Sequence, residues 1–186
     1  IEYSAIDLAL DAVYRFRECG EDFEHDWLVV AEDEVRHFEM IETLLGELGS
    51  HYGEYPVHDA LFEASMRTLD LLERMAVVPR YLEANGLDAT PQILTKLHPY
   101  RHDAMIAKII AALHVILDEE IDHVRKGDRW FEYACTQTGK ETSCYFEIIE
   151  KHYPNCFPRK ININCAARKM AGFGKDELNR ISFTKC

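Results

Sequence analysis

The sequence lacks any apolar run approaching the roughly 18 residues that a membrane-spanning helix needs. It also lacks Cys-x-x-Cys pairs despite its six cysteines, which argues against a zinc ribbon or a thioredoxin-like site. Polar and apolar residues never alternate over more than four positions, so strands are not expected. The 186 residues predict one soluble helical domain that folds without disulfides. Scattered cysteines of this kind suit the reducing cytoplasm, which is the expected location.

Positive charge is scarce over most of the chain. Lys and Arg number 21 against 33 Asp and Glu, for a net charge of −12. Residues 154–186 are the exception, with a net charge of +5, which leaves −17 on residues 1–153. The basic residues of this tail are Arg159, Lys160, Arg168, Lys169, Lys175, Arg180 and Lys185. An acidic body disfavours broad nucleic-acid binding, and the tail either packs on the acidic helices or holds one anionic partner.

Helical periodicity dominates as far as residue 153. The predicted helices cover residue 1 to about Glu18, about 22–48, about 59–85, a short stretch from Thr90-Pro91 to Leu97, about 102–138 and about 141–152. Glycines at 20, 49, 86 and 139 mark the predicted breaks. We therefore expect a helical bundle over residues 1–153 and an irregular basic tail over 154–186, packed on the bundle. The chain begins with Ile1 rather than methionine, and we expect the natural chain to extend upstream.

Each of the four long helical stretches has one apolar stripe, and each stripe carries a glutamate among its apolar residues. These glutamates are Glu2, Glu34, Glu83 and Glu120. Two of them are followed three residues later by a histidine on the same helix face, His37 and His123. Burying four ionised carboxylates costs more than a domain stable by about 5–15 kcal/mol can tolerate, and no lysine lies on the stripes. Metal ions would neutralise them. The alternative is a bundle with internal ion pairs.

The donor set indicates which metal to expect. Four carboxylates and two imidazoles suit iron or manganese better than a thiolate-bound zinc. One Glu from each of two helices plus Glu-x-x-His from each of two others is the ligand pattern of dinuclear carboxylate bundles. The prediction is two iron ions, with manganese as the alternative, held by Glu2, Glu34, His37, Glu83, Glu120 and His123.

The segment Asp33-Glu-Val-Arg-His37 is similar to the Asp-Glu-x-Arg-His motif of ferritin-like diiron oxygenases. This resemblance implies that Asp33 orients His123 and that Glu119 orients His37 by hydrogen bonding. Leu82-Glu83-Ala84 looks like the third-helix ligand of the ferritin-like tRNA hydroxylases. More closely, residues 1–16, 52–61, 77–88 and 118–131 resemble a bacterial ferritin-like family of unknown function. The resemblance implies a ferritin-like four-helix bundle and its metal site, and says little about the substrate.

Helix lengths bear on how helices two and three connect. A short hairpin between them would leave Glu34 and Glu83 about 16 Å out of register. We therefore expect residues 50 to about 66 to form a long crossover, with room for a short helix, so that helices two and three run parallel. Pro79, one turn before Glu83, is expected to bend helix three.

The leading functional prediction is an oxygen-activating oxidoreductase, a hydroxylase or oxidase that acts on a small or tethered substrate with oxygen and an electron donor. No catalytic residue is predicted beyond the six metal ligands. A membrane partner is not expected, and a modified RNA stays among the candidate substrates. The alternatives are an iron-handling or peroxide-consuming protein and a non-catalytic interaction bundle stabilised by metal.

Overall fold

A computed structural model of the chain describes residues 1–184 and 186, so Lys185 of the basic tail lies outside the described residues. The helices are α1 Glu2–Arg15, α2 Glu21–Glu47, α3 Ala60–Arg67, α4 Leu71–Val77, α5 Ala84–Leu97, α6 Ala104–Thr138, α7 Tyr145–His152, α8 Cys165–Met170 and α9 Lys175–Ile181. Over the described residues, β-structure is limited to one bridge between Arg159 and Ser182. The predicted all-α class is confirmed. Within the same part of the chain, no helix has the length and apolar character needed to cross a membrane.

The chain divides into two compact units. Unit 1 comprises Ile1–Met66 and Leu94–Ile116, and unit 2 comprises Arg67–Ile93 and Leu117–Cys186. The long helix α6 therefore contributes its first part to unit 1 and its remainder to unit 2. The predicted tail, residues 154–186, belongs wholly to unit 2.

Unit 1 is built around the packing of α1 on α2. Small side chains at Ala5, Ala9 and Ala12 are buried and let the two backbones approach closely. The connection is a 3-10 turn, Arg17–Cys19, followed by Gly20, whose φ of 89° favours glycine. Helix α1 thus ends at Arg15, slightly earlier than predicted, whereas α2 matches its predicted range closely.

The predicted third helix is interrupted rather than continuous. It consists of α3, which is the short helix anticipated in the crossover segment, then α4 and a π-helical segment, Val78–Glu83. Asp70 begins α4 as an N-cap by accepting a hydrogen bond from the Glu73 N–H at 2.9 Å. Pro79 lies at the start of the π-helical segment. Because proline has no N–H to donate and its ring crowds the preceding turn, it disrupts the regular α-helical pattern at this point.

Two predicted boundaries in the next helix are wrong. Gly86 keeps a helical backbone, so the helix does not stop there, and Thr90-Pro91 lies inside α5 rather than at the start of a new helix. A glycine ends a helix where the chain turns into the left-handed region, and Gly86 makes no such turn. The predicted short helix is therefore the second half of α5.

The tail is more ordered than predicted. It contains α8 and α9, and Asn164 begins α8 by accepting a hydrogen bond from the Ala167 N–H at 3.2 Å. A disulfide joins Cys165 to Cys186, so the expectation of a domain without disulfides is wrong. The fold of the tail brings together two cysteines that are 21 residues apart in the sequence, which spacing alone does not reveal.

Candidate metal centre

The first Glu-x-x-His pair lies on α2 in unit 1. Glu34 is 1% exposed and His37 is fully buried. Their positions follow from the helical period, because residues three apart point to the same side of a helix. Glu34 Oε2 lies 3.4 Å from His37 Nδ1. The pair is therefore a carboxylate and an imidazole held side by side away from solvent.

The second pair lies on the part of α6 that belongs to unit 2. His123 is fully buried, the Glu120 side chain is 14% exposed, and Glu120 Oε2 lies 3.8 Å from His123 Nδ1. The two pairs match in sequence spacing and in atoms, and both histidines are fully buried, whereas Glu120 is more exposed than Glu34. Glu34, Glu120 and His123 each offer an atom suited to a metal ion.

The atom separations within the pairs can be compared with those of ligands that share one metal ion. Ligand atoms about 2.1 Å from one metal ion lie about 3.0–3.4 Å apart in octahedral or tetrahedral geometry. The separation in the Glu34–His37 pair falls at the upper end of this range and that in the Glu120–His123 pair slightly above it. Both exceed an ordinary N–H···O hydrogen bond. Oxygen and imidazole nitrogen together suit iron and manganese, so the residues present fit the predicted metals.

Glu2 stands at the first turn of α1 and is half-buried. One of its carboxylate oxygens lies 3.4 Å from the amino group of Ile1. Glu2 lines a cavity of about 100 Å³ in unit 1, together with the stacked or edge-on rings of Tyr3, Phe38 and Tyr52. Its role as a ligand stays a prediction.

Glu83 is the last residue of the π-helical segment and is half-buried in unit 2. Single π-helical turns in helical proteins occur frequently at functional sites, because the wider turn changes the direction of the side chains that follow. Pro79, where a bend was predicted, lies in the first turn of the π-helical segment, which ends at the predicted ligand.

The two residues predicted to orient the histidines lie next to the ligand glutamates. Asp33, on α2, forms an ion pair with Arg36 of the same helix. Glu119 is half-buried on α6. Their predicted hydrogen bonds to His123 and His37 stay predictions.

A larger groove of about 610 Å³ runs along α2 and the first part of α6 in unit 1. Met40 and Leu44, which line it, follow His37 at three and seven residues and so continue the helix face that carries His37. Ala111 and Ala112 line the opposite wall, and their small side chains leave the space open. The groove is apolar, with Arg36 and Lys108 among its few charged residues.

Sequence reasoning missed the buried ion pairs of unit 2. Arg80 is 2% exposed and lies between Asp128 and Glu177, and Arg168 is 1% exposed and binds Asp88. From the sequence, Arg168 was expected to be one residue of a basic tail that holds an anionic partner or packs on the acidic helices. The structure places it in the core, so Arg168 is not available to a partner. The only sequence signal for these ion pairs was the position of Arg80 within an apolar stretch.

The structure thus defines an all-helical protein with two Glu-x-x-His pairs whose histidines are fully buried. The chain belongs to the family "Protein of unknown function (DUF455)", whose model matches residues 1–179. It is 40% identical over 190 residues to an "Uncharacterized protein" of Haemophilus influenzae, a match that covers 97% of this chain. The chain spans 64% of the length of that curated relative. No solved structure gives a significant match.

Proposed function

We propose that the protein is a dinuclear metal protein whose two Glu-x-x-His pairs, with Glu2 and Glu83, hold two iron ions for an oxygen-activating oxidoreductase. The observation that carries this proposal is the burial of an imidazole beside a carboxylate in both pairs, on α2 and on α6. Manganese is the alternative metal for the same donors.

Buried charge is the physical basis of the proposal. Removing a carboxylate from water costs several kcal/mol even after relaxation, and an ion that binds it and an imidazole at once offsets that cost. Glu34 and His37 occur together in the core of unit 1, and Glu120 and His123 occur together in unit 2. A helical bundle that binds no metal lacks this means of offsetting the cost of placing these two carboxylates and two imidazoles in its interior.

The proposed fold is the ferritin-like four-helix bundle, in which two helices carry Glu-x-x-His and two carry a single glutamate. Support comes from the order of the four motif-bearing elements, α1, α2, the π-helical segment and α6. The short helix α3 between α2 and α4 agrees with the long crossover that this fold requires. In this proposal helices two and three run parallel.

Iron bound by such donors supplies one-electron and oxygen chemistry to the protein. The residues of this chain contribute the surroundings. His37 and His123 act as fixed, neutral donors, and the more adaptable carboxylates balance the charge. The groove beside Met40 and Leu44 offers an apolar surface on which a small or tethered substrate could bind near the Glu34–His37 pair.

Metal analysis of ligand variants tests the proposal. The full chain, reconstituted with ferrous iron without oxygen, should hold two metal ions, and Glu34→Ala or His123→Ala should lower this number. The matched controls are Glu32→Ala on α2 and His114→Ala on α6, two exposed residues of the same types on the same helices. These controls should keep both ions.

Four results separate the function from its alternatives. Removing the metal with a chelator should lower the free energy of unfolding by some 3–4 kcal/mol when free metal had stood at a few hundred to a thousand times Kd. Exposing the ferrous protein to oxygen should oxidise about two irons per chain without further loading. Loading of many irons per chain would indicate iron handling instead. One zinc bound by cysteines would refute the site.

A further inference from the structure

Side chains of unit 2 bind residues on both sides of Glu83, the last residue of the π-helical segment. We call each set of contacts a hold. The first hold binds Arg80, three residues before Glu83, and the second binds Ala84 and Asp88, one and five residues after Glu83. Three of the contacting residues, Asn164, Arg168 and Glu177, come from the tail. Glu83 lies between the two holds.

The first hold fixes Arg80 by charge and by aromatic rings. Its guanidinium donates hydrogen bonds to Asp128 at 2.5 Å and to Glu177 at 2.8 Å. The same guanidinium lies 4.3 Å from the ring centre of Tyr145 and 4.6 Å from that of Phe173, within cation–π range. Burial alone would lower the pKa of Arg80, but the charges of Asp128 and Glu177 raise it above its usual value. Arg80 therefore stays charged and bound.

The backbone of the segment is also bonded at this end. The Tyr145 hydroxyl donates a hydrogen bond to the carbonyl oxygen of Arg80 at 3.2 Å. Tyr145 is fully buried, and burial raises its pKa to about 12, so the hydroxyl keeps its proton at neutral pH. Both the side chain and the carbonyl group of Arg80 thus have fixed partners.

The second hold comes from α8. Arg168 donates two hydrogen bonds to the Asp88 carboxylate, at 3.0 and 2.8 Å, and one to the Ala84 carbonyl oxygen at 3.0 Å. The backbone N–H of Asn164 donates to the same carboxylate at 2.9 Å. Asp88 and Arg168 are each at most 2% exposed. An arginine that binds a carboxylate through two parallel hydrogen bonds fixes the relative position of the two side chains, here Arg168 and Asp88.

We propose that the tail positions Glu83 as a metal ligand, with Glu177 and Arg168 as the positioning residues. π-helical turns are rare, and here residues on both sides of Glu83 are bonded to α6, α8 and α9. This inference rests on the proposed metal-binding function. It assigns the tail a role in shaping the site rather than in holding a substrate.

Removing one partner of a buried ion pair is destabilising, because the other charge is left buried without compensation. A purely structural role would therefore show as a general loss of stability after substitution. A positioning role predicts a local effect on residues 78–88 and on metal affinity. The test measures both.

Glu177→Gln is the main variant, because Glu177 is partly exposed and a glutamine can still accept the hydrogen bond from the Gly174 N–H. Its matched control is Asp176→Asn, the preceding and exposed acid of α9. Arg168→Lys, which keeps the charge but cannot make the same fork of hydrogen bonds, is the second variant, with exposed Lys169→Gln as its control.

Each protein is examined by amide hydrogen exchange without metal and by titration with Co²⁺ followed in the visible spectrum. We expect Glu177→Gln to exchange about ten times faster over residues 78–88, with α1 and α2 unchanged, and to bind one of two Co²⁺ ions about ten times more weakly. The controls should match the wild type in both measurements.

Three outcomes overturn the inference in distinguishable ways. Wild-type protein that binds two Co²⁺ ions while Glu177→Gln and Arg168→Lys bind them equally well refutes positioning and leaves the proposed function intact. Wild-type protein that binds no Co²⁺ refutes the proposed function, and the ligand role of Glu83 with it. Faster exchange spread evenly over the chain likewise overturns the inference in favour of a purely structural role.

Discussion

Gly127 provides a direct test of how the segment before Glu83 contacts α6. It is buried four residues after His123, and its backbone faces Pro79, which lies four residues before Glu83. A methyl group added at Gly127 would lie 2.5 Å from Pro79 Cγ and 3.6 Å from Pro79 Cα. Carbon atoms in ordinary contact are about 3.5–4.0 Å apart, so Gly127→Ala creates an overlap of about 1 Å with a rigid ring.

The size of the effect can be worked out from two opposing contributions. Alanine in place of glycine within a helix stabilises it by about 1 kcal/mol, and overpacking of a buried contact costs about 1–3 kcal/mol. Gly46→Ala on α2 is the matched control, because nothing lies within 4 Å of the added methyl group. Gly127→Ala should therefore be less stable than Gly46→Ala by about 1–3 kcal/mol, which corresponds to roughly 3–10 °C in melting temperature for a chain of this size.

Thermal unfolding of the two variants and of the wild type, without metal, measures this difference. Co²⁺ titration of Gly127→Ala should in addition show weaker binding, because the overlap displaces the segment that carries Glu83. Equal melting temperatures for the two glycine variants would show that the segment 78–83 yields freely, and the close approach of Pro79 to α6 would then be of no energetic consequence.

Two further predictions concern unit 2. Burial alone would raise the pKa of Glu73, but hydrogen bonds from Lys151 and His152 lower it below its usual value. A carboxyl with a depressed pKa stabilises the fold above its unfolded pKa of about 4.3 and loses that contribution as the pH falls. Glu73→Gln should therefore lower the melting temperature by about 1–3 °C at pH 7, and this difference should vanish near pH 3, whereas exposed Glu147→Gln on α7 should change neither value. A difference that persists at pH 3 would contradict the assignment. The disulfide between Cys165 and Cys186 should stabilise the chain by up to about 3 kcal/mol, because it closes a loop of 21 residues in the unfolded state. Cys186→Ser should lose this stability and become insensitive to dithiothreitol in thermal unfolding, while Cys19→Ser, at a free cysteine, should respond to the reductant as the wild type does.

The positions of the long helices and of the Glu-x-x-His pairs could be predicted from the sequence. Helix α2 and the burial of Glu34 and His37 follow from a period of 3.6 residues, which acts over a few neighbouring positions. The same holds for His123 on α6. Prediction succeeded at these places because the information is local: an apolar stripe determines which face of a helix is buried, whatever that face later meets.

The π-helical segment, the course of α5 and the fold of the tail depend on tertiary structure. Pro79 signalled a disturbance, but its form depends on the packing of Pro79 against Gly127, 48 residues away. Arg80 is buried because Glu177 reaches it across 97 residues, and Arg168 is buried because Asp88 reaches it across 80. The charge pattern of the tail suggested a segment that packs on the acidic helices or holds an anionic partner, since nothing local distinguishes a buried arginine from an exposed one. Only the folded chain provides the partners that make burying those charges tolerable.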